Sequence, residues 1–179
     1  MSKRLKLTAK ECIGCKSCEL ACSLANEGEM NISRARIKTL TFIEGRYPLP
    51  YNFVSTCRQC GDAPCLHSCP VAAISFNRQK VVIVDQERCI GCGKCVNTCP
   101  FGAMFFNSES RKAYKCDLCK GGEPACAEIC PTGAIIYKEQ RIFYAKSADL
   151  EMQGCLMMSE MNKTAHANRK RAGSDKPVK

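Results

Sequence analysis

The sequence predicts a small α+β protein of two pseudo-symmetric modules, each made of short hairpins and short helices. Three observations carry this reading. Sixteen of the 17 cysteines fall in four runs: Cys12, Cys15, Cys18, Cys22; Cys57, Cys60, Cys65, Cys69; Cys89, Cys92, Cys95, Cys99; and Cys116, Cys119, Cys126, Cys130. Three runs end in Cys-Pro followed by similar residues, Pro70-Val-Ala-Ala-Ile, Pro100-Phe-Gly-Ala-Met and Pro131-Thr-Gly-Ala-Ile, which marks an internal repeat. The longest aliphatic run is only Val81-Val82-Ile83-Val84, which suits small domains with little apolar core.

Taken in order, residues 5–7 alternate and read as an edge strand. The first run follows, and Ser23 stands where the other runs have proline, so a short helix can continue through Leu24. Residues 34–43 read as a strand. A loop with Pro48 and Pro50 leads to the second run, whose second gap is widened to Gly61-Asp-Ala-Pro64. Residues 80–84 and 141–145 read as the second strands of small hairpins. The fourth run has a six-residue gap holding Gly121, Gly122 and Pro124. Residues 148–162 read as a Met-rich helix, and Lys163 to the end as a polar, basic, mobile tail.

The third run, Cys89-Ile-Gly-Cys-Gly-Lys-Cys-Val-Asn-Thr-Cys99-Pro100, has the bacterial spacing for a [4Fe–4S] cluster, in which three thiolates hold one cluster and the fourth reaches to another. Soft thiolates select such clusters, and two residues between cysteines let one loop wrap three corners of a cube. Gly14 and Gly91 sit in the tightest loops, where a positive φ or a close backbone approach is expected. The proline after the fourth cysteine turns the chain away. Zinc ribbons also use Cys-x₂-Cys pairs, but they rarely add a third cysteine at that spacing and do not need the trailing Cys-Pro. A disulfide scaffold leaves the repeated Pro and Gly positions unexplained.

The formal charge of +10 raises a nucleic-acid reading. Four oxidised clusters with their thiolates each contribute −2, leaving the holo-protein near +2, so the basic residues compensate clusters rather than phosphates. No nucleic acid is expected as a partner. No stretch reaches the about 20 apolar residues of a membrane span. The start, Met1-Ser-Lys-Arg-Leu-Lys-Leu, has no apolar export segment, so the expected location is cytoplasmic.

The order and spacing of the four runs over residues 5–145 resemble the four-cluster electron-transfer subunits of molybdenum and tungsten oxidoreductases, such as those of DMSO reductase and formate dehydrogenase. Among the soluble members it resembles the small subunit of bacterial tungsten aldehyde oxidoreductase. The resemblance implies a nested pairing. Cys12, Cys15, Cys18 and Cys130 would hold one cluster, and Cys116, Cys119, Cys126 and Cys22 its neighbour. Cys57, Cys60, Cys65 and Cys99 would hold a third, and Cys89, Cys92, Cys95 and Cys69 the fourth. Sequential pairing of runs is the alternative; the 19 residues between Cys69 and Cys89 favour nesting, as of one two-cluster ferredoxin inserted into another. The modules would then be residues 1–30 with 110–147, and 31–109, followed by 148–179. Ser23 is shared with the family's first run.

The function implied is one-electron transfer along four [4Fe–4S] clusters, between a catalytic Mo/W subunit and an acceptor subunit or carrier, with self-association as a further contact. The chain shows no nucleophile or acid–base set, so it is read as a non-enzyme. Alternatives are a free polyferredoxin shuttle, an iron–sulfur subunit of a formate dehydrogenase, hydrogenase or CO dehydrogenase system, and a zinc-bound scaffold. Outside the runs, Cys155 reads as a small half-buried hydrophobe, His67 as a surface or packed histidine, and His166 as a tail residue without a role. Leu150, Met157 and Met161 share a helix face that reads as core or docking surface. The basic residues 169–171 read as solvated tail. Arg58 lies in the loop between Cys57 and Cys60.

Overall fold

The computed structural model describes residues 2–42, 51–140 and 149–173, and on the last helix the side chains of 156–168. The strands are β1 (Ser2–Leu7), β2 (Ile37–Phe42), β3 (Tyr51–Thr56), β4 (Ile74–Phe76), β5 (Val82–Val84), β6 (Phe105–Asn107), β7 (Lys112–Tyr114) and β8 (Ile135–Gln140). They form antiparallel pairs, β1–β8, β2–β3, β4–β5 and β6–β7. The helices are α1 (Ser17–Glu27), α2 (Pro64–His67), α3 (Lys94–Thr98), α4 (Ala125–Glu128) and α5 (Asp149–Gly173). This is the small mixed α+β architecture that the sequence predicts.

The repeat after each Cys-Pro has a single structural cause. Its third residue, Ala72, Gly102 or Gly133, has φ of 49°, 58° or 67°. That left-handed step reverses the chain and launches β4, β6 or β8 from the cysteine. The expected strand at 80–84 is β5. The stretch 141–145 lies outside the described residues, as does the loop with Pro48 and Pro50. β8 pairs with the N-terminal strand, Leu5 facing Tyr137 and Leu7 facing Ile135. The expected edge strand at 5–7 is therefore the end of a six-residue strand.

Helix α1 runs past Leu24 to Glu27, because no proline follows Cys22. Ser23 is fully buried. Its Oγ donates to the Leu20 carbonyl and accepts the Asn31 N–H at 2.9 Å, anchoring the segment that leaves the helix. The β2–β3 hairpin divides the apolar core. Val54 and Ile37 pack with Cys18, Cys22, Ala35, Cys126 and Ile135. Phe53 points to the other face, as neighbouring strand residues must, and meets Phe105 and Met158.

One reading of the C-terminal segment is corrected outright, and the core half of another is corrected as well. Helix α5 does not end near residue 162 but continues to Gly173, so the part of the tail from Lys163 to Gly173 is helical. Met157 and Met161 are exposed, and the buried side of the helix carries Met158, Ser159 and His166; the Leu150 side chain lies outside the described residues. The seam is polar: Ser159 Oγ donates to the Cys99 carbonyl at 3.0 Å, and Asn162 Nδ2 donates to the Gly102 carbonyl. His166 is buried, edge-on to Phe106 with ring centroids 4.9 Å apart. A Cβ at Gly93 would lie 1.9 Å from His166 Nε2 and one at Gly102 2.3 Å from the Met158 backbone, so both glycines are sites of close helix approach.

Candidate iron–sulfur sites

Each run begins with a loop wound the same way. The residue before the second cysteine has positive φ in all four: Gly14 (71°), Gln59 (50°), Gly91 (69°) and Leu118 (56°). This conformation is easy for glycine. Gln59 and Leu118 are held in it by burial, being 3% and 1% exposed. The turn aims backbone N–H groups at sulfur: Gln59 N–H lies 3.5 Å from Cys57 Sγ and Leu118 N–H 3.4 Å from Cys116 Sγ. A short helix then follows, and the next cysteine ends the run. In α1 the third and fourth cysteines, Cys18 and Cys22, are one turn apart on one face.

The runs surround four cavities, each lined by four cysteines. One is lined by Cys12, Cys15, Cys18 and Cys130; a second by Cys22, Cys116, Cys119 and Cys126. A third is lined by Cys57, Cys60, Cys65 and Cys99, and a fourth by Cys69, Cys89, Cys92 and Cys95. Every cavity thus takes three cysteines from one run and the last from another. We call them the Cys12, Cys116, Cys57 and Cys89 sites. Their order in space follows from shared packing. Cys18, Cys22 and Cys126 lie in one apolar cluster, which joins the Cys12 and Cys116 sites. Cys116 and Cys57 pack on Val81 and Leu118. Cys65 and Cys95 belong to one cluster, joining the Cys57 and Cys89 sites.

The last cysteine of each run sits in a cradle of donors. Ala73 N–H lies 3.2 Å from Cys69 Sγ and Ala103 N–H 3.4 Å from Cys99 Sγ, both delivered by the left-handed turn after Cys-Pro. Cys22, which lacks that turn, instead receives Arg36 N–H at 3.3 Å and Asn26 Nδ2 at 3.6 Å. Ala72 is the repeat's one non-glycine at the left-handed place, and its methyl is exposed. An L-residue there costs roughly 1–2 kcal/mol, partly offset by glycine's freedom in the unfolded chain. Ala72→Gly is therefore expected to stabilise the holo-protein by about 0.5–1 kcal/mol, read as a higher denaturation midpoint; a lower midpoint would refute the strain.

Burial pushes the Cys18 and Cys60 thiols up to about 11, and those of Cys65, Cys95 and Cys116 up to about 12. Cys130 goes the other way. Burial opposes its ionisation, but N–H groups of Ile135, Thr132 and Ala134 outweigh it. Most of these thiols therefore keep their protons at neutral pH until a metal displaces them. Four soft thiolates per cavity with N–H donors aimed at sulfur suit a [4Fe–4S] cluster. A single zinc needs thiolates closing on one point at about 2.3 Å, and no such group of three or more ligands exists among the described residues.

The comparisons agree with this chemistry. A model of the 4Fe-4S dicluster domain matches residues 49–140, and one of the 4Fe-4S binding domain matches residues 9–28. The chain belongs to the 4Fe–4S dicluster family. It is an iron–sulfur electron-transfer protein. A polyferredoxin-like subunit of aliphatic sulfonate oxidoreductase from Pyrococcus furiosus is 38% identical over 125 residues, 69% of each chain. The electron transport protein HydN of Escherichia coli is 35% identical, covering 88% of this chain and 99% of its own. The thiosulfate reductase electron transfer subunit PhsB of Salmonella typhi is 36% identical over 70% of each chain. Among the described residues no helix is long and apolar enough to cross a membrane.

Other side chains take places around the sites of this dicluster protein. His67 is an exposed residue 2.7 Å from Asp62. Arg58 is half-buried, lines the Cys57 site and lies over the Phe101 ring at 5.8 Å. The Cys155 side chain lies outside the described residues. His166, read as a tail residue, is instead packed beside the Cys89 loop, because α5 extends far enough to bring it there. Sequence reasoning missed four more. Asn52 Nδ2 donates to the Cys12 carbonyl at 2.8 Å. Glu19 is buried beside Cys18 and accepts the Thr39 N–H at 2.7 Å. Gln59 bridges Cys116 and Val82, donating from Nε2 to the Cys116 carbonyl and accepting the Val82 N–H, each at 2.8 Å. Lys115 is 4% exposed. The Lys-Cys pair at 115–116 is the only sequence signal for it, and a weak one.

Proposed function

We propose that the chain holds four [4Fe–4S] clusters in the nested ligand sets and carries single electrons between a catalytic oxidoreductase subunit and an acceptor. The observation that carries this is the grouping of four cysteines around each cavity. When bound, the clusters supply one-electron chemistry; the chain supplies spacing, desolvation and N–H donors at sulfur. The sites follow one another from the Cys12 site through the Cys116 and Cys57 sites to the Cys89 site. The first and fourth runs form one pseudo-symmetric module (1–30 with 110–147) and the second and third the other (31–109).

The partner we propose is a molybdenum or tungsten oxidoreductase subunit, with an aldehyde oxidoreductase first among them. Support comes from the order and spacing of the runs, and from relatives named as subunits of sulfonate oxidoreductase and thiosulfate reductase. The Cys12 end would face that subunit. The far end would face an acceptor or another copy of this chain. Sixteen cysteines read as cluster ligands rather than disulfides favour a reducing compartment such as the cytoplasm.

Anaerobic purification of the untagged protein from its source tests the reading. We expect a second, larger subunit carrying molybdenum or tungsten to co-purify. A chain that runs alone at its monomer mass, yet reduces and oxidises reversibly, would instead be a free polyferredoxin. Zinc in place of iron would sink both.

A further inference from the structure

We propose that Lys115 sets the reduction potential of the Cys57 site and holds it above those of the other three, so that an electron entering at either end comes to rest at the junction of the two modules. This rests on the ligand sets proposed above.

Lys115 follows β7 and directly precedes Cys116. Its side chain lines the cavity of the other module, with Cys57, Cys60, Cys65 and Cys99. The Nζ donates to the Val82 carbonyl and, at 2.9 Å, to the Cys116 carbonyl. Two neutral acceptors fix the ammonium without cancelling its charge. No carboxylate pairs with it among the described residues, unlike Arg36 at the Cys116 site, which lies 2.9 Å from Asp117 and 3.3 Å from Glu27. Buried charges are screened far less than exposed ones. Arg58, the other cation lining the Cys57 site, is half-buried, and its charge is more screened.

The other sites differ in sign or strength. Beside the Cys12 site the buried charge is the Glu19 carboxylate, with Lys38 near enough to feel it. The Cys89 site is lined by cysteines, glycines and aliphatic residues. Reduction adds one electron and no proton to a cluster that is already anionic. A fixed cation stabilises that added charge, and a fixed anion opposes it. Of the four sites, only the Cys57 site has a buried, uncompensated cation in its wall among the described residues.

The test is an anaerobic potentiometric titration of the holo-protein followed by electron paramagnetic resonance, with dithionite as the one-electron donor and mediator dyes. Cys99→Ser, which changes one ligand atom, marks the Cys57-site signal. Lys115→Gln removes the charge but keeps an N–H donor for the carbonyls, and Lys115→Arg keeps the charge. In the unaltered protein the first electron should appear in the marked signal. In Lys115→Gln the one-electron equilibrium at that site should fall at least tenfold, about 59 mV, with smaller shifts elsewhere, and Lys115→Arg should restore it. A marked signal that does not move, that moves equally with the other three, or that is lost in Lys115→Gln would overturn the proposal; loss would make Lys115 a structural residue. A signal that shifts in Lys115→Gln but is untouched by Cys99→Ser would support the lysine's role and overturn the ligand set.

Discussion

Stripping iron anaerobically from the protein is expected to unfold it. The described strand pairs are two-stranded, and β4 to β7 are three residues each. An isolated two-stranded hairpin is at best marginally stable in water. The apolar clusters that would hold these hairpins together are built partly of cysteine: Cys18, Cys22 and Cys126 in one, Cys95 in another, Cys116 in a third. Without clusters those side chains line voids, and atoms facing a void lose their dispersion contacts. Several loops are also wound left-handed at non-glycine residues, including Gln59, Leu118 and Cys119. That is a strain of order 1–3 kcal/mol per residue which only the surroundings sustain.

Metal binding is then folding energy; structural zinc in peptides supplies about 10–16 kcal/mol. Far-ultraviolet circular dichroism of the iron-free chain should lose its helix and strand signal, and heating should give no cooperative step. Restoring iron and sulfide should bring both back, with about sixteen iron per chain. Because burial raises most of these thiols, protons compete with iron from a higher pH downward, so acidification should also release iron. A sharp thermal transition in iron-free protein would contradict the dependence.

Much of this arrangement was legible in the residues because the cysteines do two jobs at once. They bind, and their spacing fixes the local backbone. The strands β4 and β6 begin where the Cys-Pro repeat says they should, because the left-handed turn at Ala72 and Gly102 is encoded locally. What was hidden depends on contacts distant in sequence. The pairing of β1 with β8 joins residues more than 120 positions apart, and neither strand carries a turn signal for the other. Helix α5 misled because its exposed methionines suggest a buried face, whereas its docked face is partly polar. Ser159 and Asn162 bind backbone carbonyls near the third run, and His166 fits only because Gly93 has no side chain. Lys115 was invisible for a similar reason. A lysine reads as surface, and its burial depends on the Val82 carbonyl, 33 positions away.

Replacing Cys130 by alanine is expected to damage one site in the half of the molecule opposite to where sequential pairing would put it. Sequential pairing joins the third and fourth runs, so it would place the damage beside Cys89, Cys92 and Cys95. Cys130 instead lines the cavity with Cys12, Cys15 and Cys18, while its run-mates Cys116, Cys119 and Cys126 line the next one. It is also the thiol that N–H donors hold below its ordinary value, so it ionises more readily than the buried thiols around it. Alanine there removes a ligand and leaves the donors at Thr132, Ala134 and Ile135 facing an empty corner. Iron content should fall from about sixteen toward about twelve per chain. The signals of the Cys57 and Cys89 sites should keep their shape and potential. Cys130→Ser is the gentler control: an oxygen ligand should retain the cluster with an altered signal. If the signal lost in Cys130→Ala is the one that Cys99→Ser alters, or that a substitution of Cys89 alters, the nested ligand sets are wrong.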